Sequence, residues 1–412
     1  MNKIIIVGAG FAGLQTAKGL TTSSFDVTII DKNNYHLFQP LLYQVATAGL
    51  SPADIAVPIR NIFRSQKNPK VVLDELIEIN PQLNRITTKN NTYFYDFLVI
   101  ATGSEPSYFG HDQWKNFSYG LKNIKDATSM RTKILKAFEK AERIKNKNDL
   151  DKLMKFVLIG GGPTGVEMAG AIAELSKKIL TKEFTTIDTK TAKIILLEAG
   201  PNILPTASHS LSIYAQKTLE KLGVEVKCNT SVKNISESLV ETNAETIDAE
   251  TIIWCAGVKA SPVKSWINVK TDEKDRVLVN DDLSISGYSN IFVIGDASHA
   301  KNKNSKPLPG LAPVAKQEGN FVAEVIKKNI HNGKPPKKFY YKNRGYLATI
   351  GRSDAIVDFG WFTLKGRIGW IFWSIIHIYF LIGFRNRLIV FINWLWSYLT
   401  FSKGARLITD DK

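Results

Sequence analysis

Two glycine-rich turns are the residues of this sequence best placed to do chemistry. Gly8-Ala9-Gly10-Phe11-Ala12-Gly13 follows an apolar run over residues 3–7, and a helical stretch continues to about Leu20. The next apolar run, Val27 to Ile30, ends on Asp31, 18 residues after Gly13. Gly160-Gly161-Gly162-Pro163-Thr164-Gly165 repeats the arrangement: Phe156 to Ile159 precedes it, a helical run to about Lys178 follows, and Ile194 to Leu197 ends on Glu198. Glycines between a strand and a helix allow a tight turn and let backbone N–H groups reach a pyrophosphate, whose charge the helix N-terminus stabilises. The strand-end acids, Asp31 and Glu198, then accept hydrogen bonds from adenosine ribose hydroxyls. A carboxylate there also repels a 2′-phosphate, so Glu198 favours NADH over NADPH. Glu198 lies 33 residues beyond Gly165, against a usual spacing of about 20, so a longer helix or loop intervenes. One such turn is weak evidence. Two, each in full context, imply two dinucleotides, and a flavin and a nicotinamide cofactor are the usual pair, with hydride passing between them.

Other residues carry less. Glu167 stands in the first turn of the second motif's helix. It either faces the nicotinamide and flavin rings or is simply favoured there by the helix dipole. The two cysteines, Cys228 and Cys255, form no C-x-x-C, which excludes a disulfide scaffold and a flavin–disulfide relay. Six histidines show no metal-ligand spacing, so no metal is expected.

The elements that must position these residues follow from the apolar runs. Phe97 to Ile100 leads into Ala101-Thr102-Gly103, Thr251 to Trp254 into Cys255-Ala256-Gly257, and Ile291 to Ile294 into Gly295-Asp296. The pattern predicts an α/β fold of two nested Rossmann-like dinucleotide-binding domains. The first is split over 1–110 and 261–330, the second spans 151–260, and 111–150 connects them. Thr128 to Lys155 reads as a charged helical connector, and Pro335-Pro336 marks a boundary before a C-terminal module, 331–412. Met1 to Val7 breaks into glycine before any cleavage site, so a buried strand is expected and not a signal peptide.

With 44 % hydrophobic and 22 % charged residues the chain is globular, not disordered. Its net charge of +16 suggests a polyanionic partner, nucleic acid or an anionic membrane. The charge is unevenly placed: residues 325–409 hold 14 Lys/Arg against Asp354 and Asp358. Two apolar runs, Gly369 to Phe384 and Leu388 to Phe401, lie within that stretch with five of the eight tryptophans, Trp361, Trp370, Trp373, Trp394 and Trp396. Neither run reaches the 18 or so residues of a spanning helix. In the first, Trp370, Ser374, His377 and Leu381 share a face; in the second, Asn386, Asn393 and Ser397 form a narrow polar stripe. Short helices of this kind fit the plane of an anionic lipid interface. A helical hairpin at a homodimer contact is the alternative, compatible with the first. No nucleic-acid module is recognisable.

These residues resemble the type II NADH:quinone oxidoreductases over nearly the whole chain. Besides the two glycine motifs, the match includes His36-Leu37-Phe38-Gln39-Pro40-Leu41-Leu42-Tyr43-Gln44-Val45-Ala46, Trp254 to Gly257, Gly295-Asp296, Ala348-Thr349-Ile350-Gly351-Arg352 and Gly383 to Arg387. The resemblance implies a single-subunit flavoenzyme that passes hydride from NADH to non-covalent FAD and two electrons on to a quinone, without pumping protons. It implies a peripheral location on the cytoplasmic face of the bacterial inner membrane. FAD would be held by Gly8, Gly10, Phe11, Gly13, Asp31, Lys32, Ala101, Thr102, Gly103 and Asp296. NADH would be held by Gly160, Gly162, Pro163, Thr164, Gly165, Glu198, Ala256 and Gly257. The family's quinone-site signature, Ala-Gln-x-Ala-x-Gln-Gln, here reads Ala312-Pro313-Val314-Ala315-Lys316-Gln317-Glu318. Only the middle glutamine is kept, so Gln317 and Glu167 are the expected groups near the reacting ring. A sulfide:quinone reductase, a ferredoxin-reductase-type enzyme and a non-catalytic redox sensor are the competing readings.

Overall fold

The structure, a computed structural model, describes residues 1–21, 25–66, 68–331, 334, 338–400 and 404–408. The expected boundary at Pro335-Pro336 lies outside the described residues. The chain forms two compact units, each assembled from three separated stretches. The first comprises Met1–Leu37, Ala56–Glu105 and Val258–Arg344; the second comprises Phe38–Ile55, Pro106–Gly257 and Gly345–Lys412.

The first unit is built on a six-stranded sheet in the order Ser284–Ile285, Tyr288–Val293, Phe97–Ile100, Asn2–Val7, Phe25–Asp31, Lys70–Leu73. All neighbours are parallel except the first pair. Ile4, Ile6, Ile29, Leu98 and Val99 are fully buried, as strands covered on both faces require. The helix Phe11–Gly19 follows the first glycine turn directly, and the helix Ala312–Ile330 belongs to the same unit.

The second unit repeats the plan with five parallel strands in the order Tyr119–Gly120, Thr251–Trp254, Lys155–Ile159, Lys193–Leu197, Val224–Lys227. The stretch expected to be a charged connector is more than that. Ile124–Ala141 is a helix that opens on a capping box between Asn123 and Asp126 and buries Ala127, Met130, Ile134, Phe138 and Ala141. That three-and-four spacing is a core-facing stripe. The lysines that dominate the sequence impression occupy its outer side.

The C-terminal residues close this second unit. A three-stranded antiparallel sheet, Tyr346–Thr349, Ala355–Asp358 and Thr363–Lys365, leads into the helices Gly366–Phe380 and Phe384–Thr400. Trp373, Leu381, Asn386 and Val390 point inward and are buried. Asn386 donates from Nδ2 to the carbonyls of Ala53 and Asp54, each at 3.1 Å. The tail tryptophans therefore divide. Trp373 is core, because it lies where both helices meet the 38–55 stretch, while Trp361 and Trp396 are 83 % and 62 % exposed. Among the described residues no helix is long and apolar enough to cross a membrane.

The helix Pro163–Glu174 touches the C-terminal sheet through glycine: a Cβ at Gly170 would lie 2.6 Å from the backbone nitrogen of Gly351. Gly170→Ala is expected to push the two apart at a cost of about 1–3 kcal/mol, read as a lower Tm of the FAD-loaded enzyme. An unchanged melting curve would show that this contact is not tight.

Candidate functional site

The first glycine turn is shaped by steric exclusion. Gly8 has φ +98°, and a Cβ there would lie 2.4 Å from the carbonyl oxygen of Ala101; a Cβ at Gly13 would lie 1.9 Å from that of Gly8. Gly10 instead has open space around it and opens the helix Phe11–Gly19 with no side-chain cap. Uncapped N–H groups beside open space are what a pyrophosphate needs. Asp31 holds the turn from the next strand. Its Oδ2 accepts from Ala9 N at 2.6 Å and its Oδ1 from Asn33 N at 2.7 Å. Burial raises the Asp31 pKa, and these N–H groups oppose that rise. Lys32 beside it is exposed.

His36, which sequence reasoning left unassigned, lies under the same turn. Its Nδ1 is 2.8 Å from the carbonyl of Ala9, so that nitrogen carries the proton. Its Nε2 is then a buried acceptor with no partner among the described residues, and burial pushes its pKa down to about 4. Phe11 stacks edge-on against the ring, 5.2 Å between centroids. In the same unit Thr102 Oγ1 and Ser261 Oγ are 2.6 Å apart, Gly103 accepts from Ser261 N at 3.0 Å, and Ser104 Oγ donates to Asp296 at 2.6 Å. The cradle, the orphaned acceptor and the strand-end acid fit a dinucleotide such as FAD.

The second turn copies the first. A Cβ at Gly160 would lie 2.6 Å from Ala256 Cα, and one at Gly165 1.9 Å from the carbonyl oxygen of Gly160. Gly162 is open and caps Pro163–Glu174 without a side chain. Glu198 Oε2 accepts from Gly161 N and Oε1 from Gly200 N, both at 2.7 Å. The 33-residue interval thus delivers Glu198 to the place that Asp31 occupies in the first turn. The extra chain lies in the prolongation of the helix beyond Glu174, through Leu175–Ile179 and Leu180–Lys182, and in the connection at 183–192 with its short turn Thr189–Thr191.

Glu167 keeps part of its surface accessible, yet its carboxyl lies deep enough for burial to raise its pKa to about 8. Thr349 N approaches it at 3.4 Å. Nearby is Tyr43, whose pKa is raised well above its ordinary value by burial first and the Glu167 charge second. Gln44 Nε2 donates to Tyr43 OH at 2.9 Å, and Gln44 Oε1 accepts from Trp394 Nε1 at 2.8 Å. This chain runs from the last tail helix to the tyrosine. Tyr43, Gln44, Thr349, Arg352, Trp373 and Trp394 are among the walls of a cleft of about 750 Å³, open mouth included. Trp373 Nε1 has no partner there among the described residues.

The amide of Gln317 is engaged by backbone. Its Nε2 donates to the carbonyl of Lys342 and its Oε1 accepts from Lys342 N, both at 3.0 Å, so the amide clamps backbone within the first unit. The neighbouring Glu318 is buried; it accepts from Gly295 N and, at 3.3 Å, from Ser298 Oγ, and burial raises its pKa to about 8. Burial favours its neutral form, which has nearly the size of the glutamine in the family signature but a single donor. Tyr43, Gln44 and Trp394 were not singled out by the sequence as site residues. Their signal was present only as the match at 36–46 and as tail tryptophans.

A profile of the pyridine nucleotide-disulphide oxidoreductase family matches residues 2–319, and one of the NDH2 C-terminal domain matches 343–401. Among curated relatives, the type II NADH:quinone oxidoreductase NdhA of Mycobacterium tuberculosis is 37 % identical, over 99 % of this chain and 90 % of the relative. The chain belongs to the type II NADH:quinone oxidoreductases. It is a flavoenzyme that oxidises NADH with a quinone as acceptor, and FAD and NADH are its cofactors. The NDH2 structure of Plasmodium falciparum in complex with NADH shares the fold at TM-score 0.89 and 23 % identity, covering 99 % of this chain and 100 % of that one. The sulfide:quinone oxidoreductase of Aquifex aeolicus does so at TM-score 0.76 and 19 % identity, covering 94 % and 92 %. In this type II enzyme both cysteines are free, and burial raises the Cys255 thiol to about 12, far from a reactive thiolate.

Glu198→Ala removes the carboxylate and the tether at once. It is expected to lower the kcat/KM ratio of NADH to NADPH by about tenfold or more. A ratio that does not move would remove Glu198 from cofactor selection.

Proposed function

We propose that the FAD domain expected at 1–110 and 261–330 lies mostly in the first unit and holds FAD at Gly8, Gly10, Phe11, Gly13, Asp31, Lys32, Ala101–Gly103 and Asp296. The NADH domain expected at 151–260 lies mostly in the second and holds NADH at Gly160, Gly162–Gly165, Glu198, Ala256 and Gly257. Bound FAD accepts hydride and delivers electron pairs. The chain's own part at the acceptor end centres on the cleft beside Tyr43. A quinone head group is flat, apolar and carries two carbonyl acceptors. The cleft supplies aromatic walls and two N–H or O–H groups, Trp373 Nε1 and Tyr43 OH. Because the Tyr43 oxygen accepts from Gln44, its own proton is directed away from Gln44, toward whatever the cleft holds. Glu167 stands behind it as a carboxyl that is protonated below about pH 8 and charged above. Reduction of a quinone takes up two protons, and Glu167 with Tyr43 moves one of them. The placing of the Glu167 carboxyl beside Tyr43, at the wall of the cleft, is the observation that carries this reading. Gln317, whose amide is engaged by Lys342, acts as a positioning residue.

Rapid mixing of FAD-loaded enzyme tests it. Glu167→Gln is expected to keep its flavin and its bleaching by NADH, while reoxidation by a quinone slows by about 10²-fold. In the parent, reoxidation should fall as pH rises through about 8, because the proton donor is lost there, and the variant should lack that limb. Unchanged reoxidation, or a slowed bleaching step instead, would overturn the assignment.

The tail supports peripheral attachment to the anionic lipid of the cytoplasmic face of the bacterial inner membrane, where NADH is available. Of its polar stripe, Asn386 is turned inward onto the backbone at 53–54, Ser397 is half-buried at the cleft and Asn393 is exposed. Phe384, Leu388, Phe391, Ile392, Leu395 and Leu399 are 46–79 % exposed, and Lys365, Arg367, Arg385 and Arg387 surround them at the surface. Such an outward apolar face ringed by cations suits a lipid surface, each cation near it contributing about 1 kcal/mol. Ending the chain near Gly366 would also remove buried Trp373 and Leu381, so outward substitutions are the cleaner test. Phe391→Glu with Leu395→Glu is expected to release the enzyme from anionic vesicles without lowering Tm. Retained vesicle binding with loss of a dimer would assign this face to a second subunit.

A further inference from the structure

One exposed aromatic sits where local backbone preference is against it. His111 N donates to the carbonyl of Tyr108 at 3.0 Å, closing a four-residue turn whose middle residues are Phe109 and Gly110. Both have positive φ, +51° and +88°. Glycine suits its place; a bulky side chain at the other does not, since such turns favour Asn, Asp or Gly there. Burial does not compensate, because Phe109 is 62 % exposed. Its ring meets Trp254 edge-on at 6.1 Å and lies over Gly257, where an added Cβ would fall 2.7 Å from Phe109 Cζ. The turn is fastened there: Trp254 Nε1 donates to the carbonyl of Ser107 at 2.8 Å, and Ser107 N donates to that of Gly257 at 3.1 Å.

Strand register says what lies beside Gly257. Ile159, the residue before the second glycine turn, is paired on one side with Leu197, which precedes Glu198, and on the other with Trp254. A dinucleotide laid across these strand ends, with adenosine ribose on Glu198 and pyrophosphate on the glycines, extends its nicotinamide half toward Ala256–Gly257. We propose that Phe109 is a cofactor-binding residue that covers the nicotinamide-ribose half of NADH, its strained backbone kept because the ring must stand over Gly257. The inference rests on the reading that the second glycine turn holds NADH.

Phe109→Asn separates the strain from the ring, because Asn adopts positive φ readily. In FAD-loaded enzyme the expected result is a Tm equal to or above the parent's. KM for NADH should rise about three- to tenfold, the loss of one aromatic contact, with KM for the quinone unchanged. Phe109→Tyr is expected to keep the parental KM for NADH. A KM for NADH within twofold of the parent's in Phe109→Asn overturns the proposal, whichever way Tm moves. Glu198→Ala, run in parallel, separates the two levels. If it raises the KM for NADH while Phe109→Asn does not, only the role of Phe109 fails; if neither variant moves it, the NADH assignment of the turn fails as well.

Discussion

Each dinucleotide turn depends on one carboxylate that commits both oxygens to backbone N–H groups. Asp31 ties Ala9 to Asn33, and Glu198 ties Gly161 to Gly200. Charge-assisted bonds of this kind are about twice as strong as neutral ones. They fix the residue between the first two glycines, and the remaining geometry is exclusion: Gly8 against Ala101 and Gly13 against Gly8, or Gly160 against Ala256 and Gly165 against Gly160. With the turn held so, the helix N–H groups stay clear of side-chain caps and keep their charge for a ligand. The near-identity of the two turns in one chain makes the repeat a physical one, not merely a recurrence of letters.

Much of this was legible in the sequence because both turns are local. The strands at 3–7 and 156–159, the helices that follow and the acids at 31 and 198 lie within a few dozen residues of each other, and their apolar periodicity is strong. What was not legible depends on distant contacts. The lysines of 124–141 hid a buried stripe that becomes core only because other parts of its unit cover it. Trp373 and Trp396 look alike as letters, and only helix orientation makes one core and the other surface. Gln317 was expected beside the quinone by analogy, but which backbone its amide meets, Lys342, is set by a loop 25 residues on. The cleft residues Tyr43, Gln44 and Trp394 converge from opposite ends of the chain, a relation that no window of sequence contains.

Two buried carboxyls, Glu167 and Glu318, are held near pKa 8 by the same cause, burial with few compensating donors. The consequences differ. Glu318 is surrounded by Gly295 and Ser298, where a neutral acid works as an amide-like bridge. Glu167 keeps part of its surface accessible and adjoins Tyr43, one of the residues that line the cleft. The two carboxyls therefore differ in access to solvent and not in pKa.

The cleft draws its walls from residues 43–49, 171–179, 349–352 and 370–398. In order of synthesis, the walls at 43–49 must wait for those at 370–398 before the cleft can form. While the ribosome is still adding the tail, the 38–55 stretch has neither Asn386 to bridge its backbone nor Trp394 to orient Gln44. The outward apolar face appears only as those inward contacts form. A chain without the tail therefore lacks the inward contacts that complete the cleft.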